Sequence, residues 1–132
     1  MDLTKLCAKD LMHKDVKTVD EMTSVEDAVR MMLDSNVSSL VVEPNDDNDA
    51  FGIVTRKDFV EAFMSGVEGA TVMLVEDIMT KPVITVHPDL AISQCYQMMR
   101  LMGVRRVPVV DGKDLVGIFS STDLFRCFEK GL

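Results

Sequence analysis

No apolar run in this 132-residue chain can span a bilayer; stretches such as Val107-Pro108-Val109-Val110 fall far short of the roughly 20 residues required. The amino terminus lacks the charged-then-apolar order of a secretory signal, so a cytoplasmic protein with no membrane partner is expected. Positive charge is scarce: 14 Lys and Arg against 22 Asp and Glu leave a formal charge of −8. Without a basic stripe to neutralise phosphates, nucleic acid is excluded as a partner. Cys7, Cys95 and Cys127 are odd in number, widely spaced and free of any CxxC arrangement. Cys95 and Cys127 fall at apolar helix positions and are expected as small core residues. His13 and His87 have no second ligand at metal spacing, so a structural or solvent-exposed role is expected for both and no metal site is. GxSxG, P-loop and Cys/His pairings are missing too, so no catalytic residue or catalytic cofactor is nominated and the chain is not expected to be an enzyme.

What the chain does have is repetition. Asp10-Leu11-Met12 returns as Asp77-Ile78-Met79, Val16-Lys17-Thr18-Val19 as Val83-Ile84-Thr85-Val86, and Met31-Met32 as Met98-Met99, each 67 positions on. Gly52-Ile53-Val54-Thr55-Arg56-Lys57-Asp58 reappears as Gly117-Ile118-Phe119-Ser120-Ser121-Thr122-Asp123, 65 positions on. The slip falls in the polar run Pro44 to Asp49, where a loop changes length at little cost. Two repeats follow, 1–66 and 67–132. Half a chain of this size buries only roughly 60% of its unfolded surface, so the pair is expected to fold together.

Repeat one reads β-α-β-β-α. Val16 to Val19 has the β-branched alternation of a strand. Ser24 suits an N-cap, and Val25, Ala28, Val29, Met32 and Leu33 then recur on one helical face until Asn36. Strands follow at 40–42 and 51–54, and Asp58 opens a helix through Phe59, Ala62 and Phe63. Repeat two has a strand at 83–86, a helix from Asp89 or Ala91 through Ile92, Cys95, Tyr96 and Met99 to Gly103, and strands at 107–110 and 115–119 around the turn Asp111-Gly112-Lys113. A helix from Thr122 to Phe128 closes it. The segment 65–69 is the expected linker, with Gly66 and Gly69 as its hinge. Met31, Met32, Met98 and Met99 are expected to fill the core, and the acidic loop 44–50 to be a solvated hairpin without calcium-binding spacing.

The duplicated turn carries the chemistry. A strand ending at Thr55 runs towards a helix beginning near Asp58, where free N–H groups and the positive dipole end welcome phosphate. Thr55 adds a hydroxyl donor, and the Asp58 carboxylate suits a vicinal diol such as a ribose. Ser120, Thr122 and Asp123 repeat the arrangement. Glycine ahead of each strand lets a backbone or a base approach closely. The other reading of the same residues makes Thr55 and Ser120 simple N-caps and the aspartates complements to helix dipoles. Duplication favours the site. Arg100, Arg105, Arg106 and Arg56-Lys57 form cationic islands that are either solvated element ends or places for a small anion.

Asp-x-Met, the Val-x-Thr-Val strand, the run Val104-Arg105-Arg106-Val107-Pro108-Val109-Val110-Asp111, and Gly-h-h-Thr/Ser-x-x-Asp together resemble a tandem cystathionine-β-synthase-type (CBS) domain pair, or Bateman module, from about Lys9 to Phe128. The resemblance implies an α/β (α+β) fold of two β-α-β-β-α repeats related by a pseudo-two-fold axis. It further implies a non-catalytic regulatory module whose inter-repeat clefts bind AMP, ADP, ATP or S-adenosylmethionine. One cleft would use Asp123, Ser120 and Thr122 with Arg105 or Arg106 and the strand around Lys17 and Thr18. The other would use Asp58 and Thr55 with Thr80, Val83 and Ile84, Ser38 or Ser39 standing where the first has arginines and Lys57 compensating in part. The family also implies a disc-like homodimer through apolar helix faces, and an effector protein regulated in trans. The alternative is a ligand-free interaction scaffold.

Overall fold

The structure, a computed structural model, describes residues 2–65 and 72–129, so the expected hinge at Gly66 and Gly69 lies outside the described residues. In chain order its elements are α1 (Ala8–Leu11), β1 (Thr18–Val19), α2 (Val25–Ser35), β2 (Ser39–Val42), β3 (Gly52–Thr55), α3 (Arg56–Met64), α4 (Ile92–Met102), β4 (Arg106–Asp111), β5 (Asp114–Ser120) and α5 (Ser121–Phe128). This is the expected mixed α+β class.

Local chemistry sets the helix ends. Ser24 Oγ accepts the Asp27 N–H at 3.1 Å to start α2, and Asn36 ends it in the left-handed region at φ 51°. Gly103 ends α4 at the equivalent place, at φ 67°. The buried stripes are Val25, Ala28 and Met32 on α2 and Ile92, Cys95 and Met99 on α4. They are narrower than expected. Leu33 is 75% exposed and Tyr96 45%, because each follows the last or middle stripe residue by about 100° around the helix axis. Met31 is turned out for the same reason, and Met98 packs only at the margin of its core. Of the duplicated Met pairs, Met32 and Met99 alone fill the interior as expected.

The chain forms two compact units. One, inner in sequence, runs from Lys17 to Val83; the outer one joins the residues before it to those after it. In the inner unit β1 pairs parallel with β2 (Thr18↔Val41), β2 antiparallel with β3 (Ser39↔Thr55), and Thr80 bridges Ile53 at the far edge. In the outer unit Val86 stands parallel to Val109 of β4, β4 pairs antiparallel with β5 (Arg106↔Ser120), and His13 bridges Ile118 at the far edge. The order is the same in both. Val19, Val25, Leu40, Val42, Val54 and Phe59 form the heart of the inner core; Val86, Ile92, Val107, Val109 and Phe119 that of the outer one.

Each edge segment thus sits on the repeat it does not belong to. The Ala8 N–H donates to the Leu90 carbonyl and the Ile92 N–H to Leu6, while the Val25 N–H donates to Met73 and the Val75 N–H to Thr23. Asp10 and Asp77, the duplicated Asp-x-Met acids, each accept a backbone N–H three residues earlier, from Cys7 and Leu74, at 2.8 Å. The crossing shortens the first strands. The strand expected at 16–19 is only Thr18–Val19, and that expected at 83–86 is only the Val86 bridge, because the chain changes units there. Val83 N–H still donates to Phe51 in the inner unit, whereas Val86 N–H donates to Pro108 in the outer one. Loop 44–50 is not simply solvated either. Lys81 Nζ lies 2.5 Å from Asp49 Oδ2 and 3.4 Å from Glu21 Oε1, and Asn45 is hydrogen-bonded to Glu21 as well.

Candidate functional site

β3 runs directly into α3, and β5 into α5. Thr55 and Ser120 are both the last strand residue and the N-cap, in extended conformation at φ −117° and −135°. The helices therefore begin at Arg56 and Ser121, earlier than the expected Asp58 and Thr122. Each Asp turns one oxygen back onto its cap. Asp58 Oδ2 accepts the Thr55 N–H at 2.7 Å and its hydroxyl at 3.0 Å. Asp123 Oδ2 accepts the Ser120 N–H and hydroxyl, both at 2.9 Å, and Ser120 Oγ in turn accepts the Asp123 N–H at 3.3 Å. Capping and ligand binding are therefore compatible readings: the cap consumes Oδ2 and leaves Oδ1 for something else.

The hairpins bring in residues distant in sequence. Ser39 is the cross-strand partner of Thr55, and Arg106 is that of Ser120. The Ser38 carbonyl accepts the Arg56 N–H at 3.0 Å and the Arg105 carbonyl the Ser121 N–H at 2.9 Å, so 38–39 and 105–106 flank the two turns equivalently. Arg105 and Thr122 are exposed in the outer unit, beside buried Asp123. Thr80 and buried Val83 lie in the inner unit with Asp58, Thr80 on the edge of β3. Lys57 is exposed on α3 with its Nζ 3.8 Å from Glu61. Lys17 and Thr18 also belong to the inner unit, the Thr18 hydroxyl donating to Glu43 at 2.9 Å. Ile84 belongs to the outer unit and packs on its core.

Sequence reasoning missed His13. Its Nε2 lies 2.7 Å from Asp123 Oδ1, and Arg126 Nη1 is 3.3 Å from the same nitrogen. The signal was available, since His13 stands 67 positions before Thr80 and so occupies the same place in the duplication. A cavity of about 260 Å³ opens beside Asp58, lined also by Glu61, Ala62, Ser65, Met73 and Ile78. A larger groove, about 510 Å³, lies between α2 and α3 against Leu33, Val60, Phe63 and Met64; only Asn36 and Arg56 bring polar atoms to it, so it does not suit a nucleoside. Among the described residues no three His, Cys, Asp or Glu side chains form a metal-binding group, and no helix is long and apolar enough to cross a membrane.

Solved structures with the same fold include a hexameric CBS-CP12 protein from bloom-forming cyanobacteria, 34% identical with a TM-score of 0.86, covering 91% of this chain and 66% of that one. The CBS domain pair of protein MJ0100, in complex with 5′-methylthioadenosine and S-adenosyl-L-methionine, is 29% identical with a TM-score of 0.79 over 92% of this chain and 98% of that one. CBSX2 in complex with AMP is 25% identical with a TM-score of 0.78, covering 95% and 97%. Among sequence relatives, homoserine O-acetyltransferase of Methanosalsum zhilinae is 32% identical over 92% of this chain but only 24% of its own length. The chain likewise spans 41% and 53% of two further archaeal relatives, from Methanocaldococcus jannaschii and Methanopyrus kandleri. The CBS domain family matches twice, at residues 8–65 and 75–130; with the duplicated strand–Thr/Ser-x-x-Asp–helix turns, this makes the chain a member of the CBS domain family built as a tandem pair.

Proposed function

We propose that this chain is a non-catalytic regulatory module that binds adenosine-containing ligands (AMP, ADP, ATP or S-adenosylmethionine) in clefts lined by both repeats and passes their occupancy to an effector protein in the cytoplasm. The observation that carries the reading is the duplicated aspartate whose Oδ2 is spent on its own helix cap, so that Oδ1 is the acceptor for ribose hydroxyls, open at Asp58 and shared with His13 at Asp123. Further support comes from the ligands of MJ0100 and CBSX2, which contain adenosine. In this reading Arg105 and Arg106 reach phosphate beside Asp123, Ser120 and Thr122; Ser38, Ser39 and Lys57 take the weaker part beside Asp58, Thr55 and Thr80; and main chain at Lys17, Thr18, Val83 and Ile84 reads the adenine edge. Arginine presents a fork that serine lacks.

The module also pairs with a second copy through its helices. Leu33, Val60, Phe63 and Met64 stand out of α2 and α3, and Leu101, Met102 and Phe125 out of α4 and α5, all exposed and apolar. The hexameric cyanobacterial relative is likewise an assembly. Sedimentation should find a dimer that Leu33→Glu with Met64→Glu converts to monomer.

Calorimetry with AMP, adenosine and S-adenosylmethionine tests the ligand. Asp58→Asn keeps an oxygen for the Thr55 cap but replaces the free acceptor, and should weaken binding by about 1.5–3 kcal/mol while the melting temperature holds. Unchanged affinity for all three ligands in folded Asp58→Asn/Asp123→Asn would mean that the aspartates do not hold the ribose, and no binding of any of the three to the wild type would leave the chain a scaffold.

A further inference from the structure

Each carboxylate oxygen accepts up to two hydrogen bonds, and counting them separates the two copies. Thr55 fills Asp58 Oδ2 with two bonds, and no described residue is hydrogen-bonded to Oδ1. A vicinal diol needs two acceptor positions and finds them there. Ser120 fills Asp123 Oδ2 in the same way, but His13 Nε2 stands 2.7 Å from Oδ1. A ring nitrogen that close to a carboxylate carries a proton, since a bare lone pair would be repelled, so Nε2–H donates and one acceptor position is gone. The Asp123 side chain is 3% exposed and that of His13 56%. The imidazole is therefore the outer member of the pair.

The main chain of His13 is held on both sides, its N–H donating to the Ile118 carbonyl and its carbonyl accepting the Ile118 N–H, each at 2.9 Å. Only the side chain has to turn for Oδ1 to be uncovered. Position for position, the inner unit has Thr80 where the outer has His13, and Glu61 where it has Arg126, and the side-chain hydrogen bonds at Asp58 come from Thr55 and from neither of these. The asymmetry is thus a property of these side chains and not of the backbone, which is bridged in the same manner in both.

We propose that His13 gates the Asp123 site: Asp58 takes an adenosine diol directly, whereas Asp123 takes one only once His13 Nε2 has left Oδ1, so adenosine, which has no phosphate for Arg105 and Arg106 to hold, fills the Asp58 site first. The proposal rests on the adenosine reading above, and the test separates the two. Calorimetry with adenosine and with AMP on the full chain carrying Asp58→Asn, which weakens the other site, resolves the Asp123 site as a separate step. Adding His13→Ala should tighten that site by about tenfold, the weight of one hydrogen bond to a charged group. In the reverse direction Thr80→His in an otherwise wild-type chain should weaken the Asp58 site by about tenfold beyond Thr80→Ala, which keeps the test decisive if His13→Ala unfolds. In the wild type, saturating AMP should shift the His13 ring resonances as the imidazole leaves Asp123. If adenosine and AMP bind the wild type but His13→Ala leaves the Asp123 site unchanged or weaker, His13 is a ligand contact or a structural pair and the gate is overturned while the adenosine reading stands. If neither compound binds the wild type or any variant, both fall together.

Discussion

Met12 lies over the Cα of Gly117: a β-carbon there would stand 2.5 Å from the Met12 sulfur and 2.8 Å from the His13 carbonyl oxygen. Gly52 meets the other edge segment in the same way, with the Thr80 carbonyl at 3.0 Å and Lys81 Cβ at 3.1 Å from the corresponding point. The glycine ahead of each strand end admits a close approach, as expected, and what approaches is the chain's own backbone.

Gly117→Ala should accordingly destabilise by about 1–3 kcal/mol, the ordinary cost of overpacking, because a backbone oxygen is among the atoms that must move. Gly52→Ala, with contacts a few tenths of an ångström longer, should cost less. Urea unfolding of both variants checks the order, and equal stability of Gly117→Ala and wild type would contradict the packing of the 12–13 segment on β5.

The Lys81 cluster sets a pH dependence. Its hydrogen bond from Lys81, followed by one from the Asn45 N–H, holds the Asp49 carboxyl below its ordinary 3.8. Burial works against the Lys81 ammonium, yet Asp49 and Glu21 outweigh it and hold the group above its ordinary 10.5. Asp49 thus contributes stability that is complete above pH 3.8 and disappears as the pH falls below it; Lys81 contributes stability that is complete below pH 10.5 and disappears as the pH climbs past it. Lys81→Met should lower the urea midpoint at pH 7, and its gap from wild type should narrow at both extremes. A gap independent of pH would mean that lost packing, and not charge, is responsible.

Burial pushes the Cys95 thiol up to about 11, and Cys127 is buried as well, whereas Cys7 is only half-buried. Since the thiolate is the reactive form, iodoacetamide at pH 8 should label the native protein at Cys7 first and reach Cys95 only after denaturation. Mass spectrometry of the alkylated peptides reads this directly. Early label on Cys95 would mean that α4 is looser than its packing indicates.

Local signals were legible in the sequence. Ser24, Asn36, Gly103 and the Asp111-Gly112 turn act where they stand, because capping and turn chemistry need only neighbours in the chain. The hydroxyl-x-x-Asp turns were equally readable, since their bonds span three residues. What the sequence hid was long-range. Nothing local says that His13 crosses to Ile118, or that Val83 and Val86 hydrogen-bond in different units, so the alternation of β-branched residues overstates the length of the first strands and gives His13 no partner. Leu33 is exposed against expectation for another reason: periodicity gives the direction of an apolar face, but not how wide a stripe the neighbouring strands cover.

Residues 2–16 complete the sheet built on β4 and β5, and residues 72–83 the one built on β2 and β3, so a cut between the repeats would yield two peptides each carrying the border the other lacks. They relate as protomers of a swapped dimer do, and the intact chain is such a dimer with its protomers tied end to end. A gene for a single repeat could close its sheet only by recruiting a second copy, at a rate set by concentration; fusion makes the encounter intramolecular and independent of abundance. Once tied, the halves no longer need to be identical. His13 in one and Thr80 in the other, Arg106 in one and Ser39 in the other, are differences that two identical halves could not hold.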